Sequence, residues 1–394
     1  MTSPALPRIT LLDESNLRAD SPHSLLISLL RGAAALEVAA AHLRAEFFPG
    51  LRSMDDPPAW YQALAFLTGF AHQAVVVFFL ISGWLVGGSL WNKYGKPQAL
   101  TLYAIDRLTR LWTVLVPTFL LMTAIGIVSG QVNPRAVDFA TDNPYSLTVM
   151  LANLLGLQTI SVPQFGGNYP LWSLANETWY YVLAPLLLVM LHGRQWPARV
   201  ATGLLIAGIA ALLPLAVTLY FCIWLLGAAF SRVRIDCSRG IQALIACSVL
   251  VLAMFFRLTG DNDDQTIASF PQDLLISLAV LLLLSALMGK ADFSQGRARR
   301  LHAVAKGLSS FSFTLYVVHV PLLGLMRHAG EVWYGSAQVG AAHWSDLLIY
   351  AAMLLFVLVF AYGFYLLFEA RTAAVRRAMK AMLLEKQKVA ETLS

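Results

Sequence analysis

Residues 24–43 read SLLISLLRGAAALEVAAAHL. As a helix this stretch is about 30 Å long, the thickness of a bilayer's hydrocarbon core. Yet it carries Arg31, Glu37 and His42. Charge inside a membrane is costly, so an ionisable residue there points to function by default. Arg31 and His42 are eleven positions apart. They therefore project within about 20° of each other and roughly 16 Å apart along the axis. Glu37 lies roughly 240° round from Arg31, off that stripe. Chemistry is expected along the stripe, and the role of Glu37 is open at this stage.

Composition sets the frame. Of 394 residues, 58% are hydrophobic and 13% charged, against about 25% charged in a soluble domain. This is the composition of a polytopic membrane protein. Further apolar runs follow at 60–90, 111–129, 170–191, 198–214, 215–230, 241–258, 270–288, 308–329 and 345–368. The 60–90 run is too long for one straight crossing and is expected to begin as an interfacial helix at Trp60 and Tyr61. Pro214 divides 198–230 into a tight hairpin. The short run at 145–160, between Pro144 and Pro163, is expected as a re-entrant or surface helix. The expected fold is therefore all-α: a polytopic membrane helical bundle of about ten transmembrane helices.

Loop charge gives an orientation. With the N-terminus inside, 22 Lys and Arg fall in inner segments, from Arg8 and Arg18 through Lys290 to Lys388, and 5 fall outside. Arg31 lies within a span. Such alternation is the positive-inside pattern, with both ends cytoplasmic. It also explains the net charge of +6 without a nucleic-acid partner. Residues 1–23 contain Asp13, Glu14 and Asp20 and read as a cytoplasmic segment, not a cleavable signal. Residues 24–368 form the membrane domain. Residues 369–394 form a basic tail expected on the anionic inner leaflet. Cys222, Cys237 and Cys247 have no metal or disulfide spacing and read as structural filler. No metal is expected.

Several polar groups remain inside the spans. A neutral imidazole suits removal of a proton from an alcohol near neutral pH, so His42 is a candidate base. The bland alternative is a helix-end histidine in the interface. Gly83, Gly87 and Gly88 leave one flank of the second span bare. That flank suits close helix packing and passage of an elongated ligand, two compatible readings. Arg107 and Arg110 share a helix face and are either inner-side anchors or a phosphate clamp. Asn176 and Glu177 lie within the fourth span, Ser173 one turn before, and Arg31 is a plausible partner for Glu177. The sequon at Asn176 is discarded because it lies at membrane depth. Tyr316 and His319 share a face in the ninth span, where a structural histidine is the ordinary reading.

Five of these segments, in order, resemble the acyltransferase-3 family of integral membrane acyltransferases. RGAAALEVAAAH, from Arg31 to His42, is similar to the family's Arg-(ten residues)-His signature. VFFLISGWLVGG resembles its Phe-Phe-x-x-Ser-Gly-Phe segment, with Trp84 for the last Phe. Arg107-x-x-Arg110 looks like its cytoplasmic Arg-x-x-Arg. LWSLANETWYYVLAP and SFTLYVVHVP resemble its Leu-Trp-Ser-Leu-x-x-Glu run and its Tyr-x-x-His-x-Pro run, with Phe313 replacing a Tyr. Glu37 is the departure within the first motif.

The resemblance implies transfer of an acyl group, usually acetyl, from acyl-coenzyme A to a hydroxyl of a carbohydrate or glycolipid acceptor. It implies a bacterial inner membrane and the stand-alone form without a fused hydrolase-like domain. On that footing Arg107 and Arg110 hold the donor's phosphates, and its arm passes Arg31, Ser82 and Gly83. His42 serves as base, and Glu177 orients His42 or balances Arg31. Ser82, Trp172 and Tyr316 are oxyanion candidates, with Ser173 and His319 beside them. Direct transfer is preferred over an acyl-His42 intermediate. The rival reading is a glycan or glycolipid transporter without bond chemistry, which inverted repeats would have favoured; none is visible in the sequence.

Overall fold

The computed structural model describes residues 7–15, 17, 21–260, 265–288 and 296–393, with side chains except at 296–299 and 384–393. Arg18 and Lys290, counted above with the inner loops, lie outside the described residues, as do all of 1–6, Asn16 and all of 18–20 in the N-terminal segment.

Two short strands, β1 (Arg8–Leu11) and later β2 (Val233–Asp236), bracket a series of helices. These are α1 (Pro22–Phe47), α2 (Ala59–Leu67), α3 (Ala71–Ser82), a π-helical turn at Gly83–Gly87, α4 (Gly88–Lys93), α5 (Ala99–Val128) and α6 (Leu147–Leu154). Then come α7 (Leu171–His192), α8 (Trp196–Leu212), α9 (Leu215–Phe230), β2, α10 (Arg239–Thr259) and α11 (Phe270–Ala286). The last are α12 (Gly296–Ser310), α13 (Ser312–Tyr334), α14 (Trp344–Leu367) and α15 (Thr372–Leu393).

Each of the ten apolar runs is helical, the 60–90 and 308–329 runs each with a break. Six helical stretches among the described residues are long and apolar enough to cross a membrane, and α12 with α13, bent by 49°, makes a seventh. The other three, α8, α9 and α11, have only 16 or 17 residues. They reach about 25 Å, so they match a 30 Å core only with local thinning or snorkelling flanks. No residue of α8 or α10 is buried, as expected of apolar helices facing lipid. The 145–160 run gives α6, with 8 residues, too short to span.

Local chemistry explains the boundaries. Helix α1 begins two residues before the apolar run because Ser21 Oγ accepts from the Ser24 N–H at 3.2 Å and Pro22 occupies the first turn. The 60–90 run breaks at Thr68–Phe70, separating α2 from α3 as the aromatic pair at Trp60 suggests. The β1–β2 pairing is antiparallel, with Arg8 opposite Asp236 and Leu11 opposite Val233. The sequence reading had no strand there, since four-residue segments carry too little pattern.

The chain forms two compact units. The first comprises Met1–Asn92, Leu186–Phe313 and Gln338–Leu354; the second comprises Lys93–Pro185, Thr314–Ala337 and Leu355–Ser394. In the first, α1 packs on α3 and α12, and α3 with the π turn packs on α9. Small residues set these close approaches. A Cβ on Gly32 would stand 2.8 Å from Leu308 Cβ, and one on Gly227 would stand 2.2 Å from the Leu80 carbonyl oxygen. In the second unit, α5 packs on α15. The loop before α7 turns at Gly166 (φ 57°), and Asn168 there donates to the Val317 carbonyl of α13 at 2.9 Å.

Candidate functional site

In the first unit, α1 is helical without interruption from Arg31 to His42, so the stripe inferred from spacing is present. Both side chains are half-buried. The face between them carries small buried residues, Ala34, Ala35 and Val38. The segment around His42 is held at three points. Glu37 Oε1 accepts the Phe70 N–H at 2.8 Å, the Tyr350 hydroxyl donates to the Ala40 carbonyl at 3.0 Å, and Arg44 Nε donates to Thr68 Oγ1 at 2.9 Å. Phe70 is the N-cap of α3. Glu37 thus satisfies an orphan N–H at the positive end of another helix. This settles why a carboxylate stands off the Arg31–His42 stripe.

Ser82 accepts from the Trp224 indole N–H at 3.1 Å. The glycine flank beside it is occupied. A Cβ on Gly83 would stand 1.8 Å from the Trp224 carbonyl oxygen, and one on Gly87 would stand 2.5 Å from Ala228 Cβ. Of the two sequence readings of these glycines, helix packing therefore prevails over ligand passage. A side of Gly83 filled by α9 backbone has no room for a donor arm. The π turn at Gly83–Gly87 widens the helix where this contact is closest.

In the second unit, α7 carries Trp172, Ser173 and Glu177, and α13 carries Tyr316 and His319. The Ser173 and Tyr316 hydroxyls lie 2.6 Å apart, and Ser173 also donates to the Pro170 carbonyl at 3.0 Å. Both are buried, so these two groups join α13 to the start of α7. His319 is fully buried, with Nδ1 3.1 Å from the Leu315 carbonyl. A carbonyl only accepts, so Nδ1 carries the proton in that bond. Trp172 is half-buried at the first turn of α7.

Glu177 accepts from the Tyr181 hydroxyl at 2.5 Å. The Tyr181 ring lies under the Arg107 guanidinium, 5.5 Å from its centroid, with the Tyr103 ring at 5.9 Å. Tyr103 donates to the Tyr181 carbonyl at 3.2 Å. The structure therefore links Glu177 to Arg107 through Tyr181, a residue to which the sequence analysis assigned no role. Asn176 is buried, and its Oδ1 has no hydrogen bond within the described structure.

Arg107 and Arg110 do not share a partner. Arg110 Nη1 pairs with Glu369 Oε1, while Glu369 Oε2 accepts the Thr314 N–H at 3.1 Å and the Thr314 hydroxyl at 2.5 Å. Three residues apart on a helix is still about 60° of rotation, enough to send one arginine to aromatic rings and the other to a carboxylate.

Sequence reasoning also missed a buried network in the first unit. Asp273 accepts from His72 Nε2 at 2.8–2.9 Å and from the Tyr220 hydroxyl, which lies 3.0 Å from Ser269 Oγ. Asp273 is fully buried. The signal was an acid in one apolar run and a histidine in another.

A family model described as an acyltransferase domain matches residues 26–366. No curated protein and no solved structure matches the chain.

Proposed function

The chain belongs to the acyltransferase-3 family, and we propose that this membrane acyltransferase moves an acyl group, acetyl first, from acyl-coenzyme A to a hydroxyl of a sugar or glycolipid acceptor. The observation that carries this reading is the family match across the whole span from Arg31–His42 to Tyr316–His319. A glycan carrier without bond chemistry is disfavoured by that match. His42 takes the proton from the acceptor hydroxyl as its oxygen attacks the thioester carbonyl. The tetrahedral intermediate needs a donor for its oxyanion. Trp172 and Ser82 are the candidates, because Tyr316 already shares its hydroxyl with Ser173. Collapse breaks the carbon–sulfur bond, and the proton held by His42 passes to the departing thiolate.

Arg31 lies on the same stripe and binds the donor's arm. Arg107 takes a donor phosphate, its guanidinium set by the Tyr181 ring that Glu177 holds. The loop charges support an orientation with both chain ends in the cytoplasm, and the family resemblance supports a bacterial inner membrane.

The test is acyl-coenzyme A turnover by purified protein with a panel of glycan acceptors, wild type against His42→Ala. Acceptor-dependent release of coenzyme A is expected to fall by about a hundredfold or more, with coenzyme A binding retained. Equal turnover in the variant removes His42 from the chemistry.

A further inference from the structure

We propose that α15 completes a phosphate-binding site on the first part of α5, where Arg376 and Lys380 join Arg107 in holding the phosphates of the acyl donor. This rests on the acyl-coenzyme A reading above. All the groups belong to the second unit.

The first observation is a shared carboxylate. Asp106 Oδ1 lies 2.6 Å from Lys380 Nζ and 3.8 Å from Arg376 Nε. Arg376 and Lys380 are four apart on α15, so one face of that helix presents both to α5. Arg377 next to them is exposed. The basic tail is thus divided: Arg371 and Arg377 are exposed, as a leaflet-facing side requires, whereas Arg376 and Lys380 turn inward.

The second observation is two orphaned donors. Arg107 Nε and Arg376 Nε are both buried, and neither makes a hydrogen bond within the described structure. Buried N–H groups almost always have a partner, and an exception calls for one not yet in view, such as an ion. The 3.8 Å separation of Arg376 Nε from Asp106 is too long for a hydrogen bond.

The third is charge. Arg376 and Lys380 share Asp106, and Glu177 reaches Arg107 through Tyr181, so three cations are set against two carboxylates and one positive charge is in excess. Arg110, one turn along α5, has Glu369 instead. Guanidinium groups supply the bidentate contacts a phosphate takes, and an ammonium supplies a point charge. Asp106 sets the two α15 cations in place and yields them to a more highly charged anion.

Phosphate chemistry is also that of anionic lipid headgroups, and the experiment separates the two. Full-length protein is placed in nanodiscs of phosphatidylcholine and, in parallel, phosphatidylglycerol, and coenzyme A binding is titrated by calorimetry. Arg376→Ala with Lys380→Ala is expected to weaken coenzyme A binding by about tenfold or more in phosphatidylcholine. The charge-preserving pair Arg376→Lys with Lys380→Arg should recover most of it. Unchanged affinity in the alanine pair overturns the inference while leaving the acyl-coenzyme A reading intact. So does a loss of phosphatidylglycerol retention with coenzyme A affinity unaltered, which assigns the site to headgroups. Wild-type protein that binds no coenzyme A in either lipid overturns both readings. Should the alanine pair unfold early, Asp106→Asn gives an independent result. Removing the carboxylate that competes with phosphate should tighten binding several-fold, and weaker or unchanged binding overturns the inference.

Discussion

Replacing Glu369 by alanine tests the junction that seats α13. The Glu369 side chain is 2% exposed and accepts from three donors: the Arg110 guanidinium, the Thr314 N–H and the Thr314 hydroxyl. Thr314 is fully buried, in the first turn of α13, where a helix N–H has no partner of its own. Removing the carboxylate strands all three. Breaking a buried ion pair from one side costs about 3–5 kcal/mol, and stranded donors cost about 1–3 kcal/mol each. These figures overlap, so Glu369→Ala is expected to lose about 4 kcal/mol. Arg110→Ala should lose less, about 2 kcal/mol. Its side chain is 28% exposed, and the carboxylate left behind keeps both Thr314 donors. Paired replacement by Met and Leu should recover only the part due to the unpaired arginine, because both Thr314 donors stay stranded. Reversible unfolding in mixed micelles, titrated with dodecyl sulfate and followed by intrinsic fluorescence, compares the four proteins. The reasoning is refuted if Glu369→Ala stays within about 1 kcal/mol of wild type, or if Arg110→Ala is the costlier change.

Three further outcomes follow from the same physics. Gly83→Ala would place a Cβ 1.8 Å from the Trp224 carbonyl oxygen, whereas nothing lies within 4 Å of one on Gly208 in α8. In the unfolding assay the first should cost about 2–3 kcal/mol by overpacking, and Gly208→Ala should be neutral or gain up to about 1 kcal/mol. Asp273→Ala leaves His72 and the Tyr220 hydroxyl without their buried acceptor. It should cost about 3–5 kcal/mol, visible as loss of folded protein on size exclusion. Ser173→Ala and Tyr316→Phe each remove one side of a buried 2.6 Å bond; each should lose about 1–2 kcal/mol, and the double variant little more than either alone, because the bond is lost once.

How much was legible in the sequence differs between the spans and their contacts. Hydropathy alone placed ten apolar segments, and each became helical, two of them with a break, because in lipid a chain must satisfy its own backbone hydrogen bonds and the helix does so locally. The Arg31–His42 stripe was equally legible, since helical rotation follows from spacing once the helix is known. The motifs were legible as a family resemblance, and the family match over residues 26–366 bears that out. What periodicity does not carry is which helix lies against which flank. The glycines at 83 and 87 read equally as packing or passage until α9 filled the space beside them. The role of Glu37 was open in the sequence, and nothing there singled out Glu369. In the structure each accepts the backbone N–H of a residue at the start of another helix, Phe70 and Thr314. Arg107 and Arg110 read as inner-side anchors or as one clamp, and their partners, two tyrosine rings and a carboxylate 259 positions away, divide them. Local helix formation depends on neighbours within four residues and is written in the chain. The pairing of a buried charge depends on whichever distant group shares its low-dielectric surroundings, and only the tertiary structure decides that.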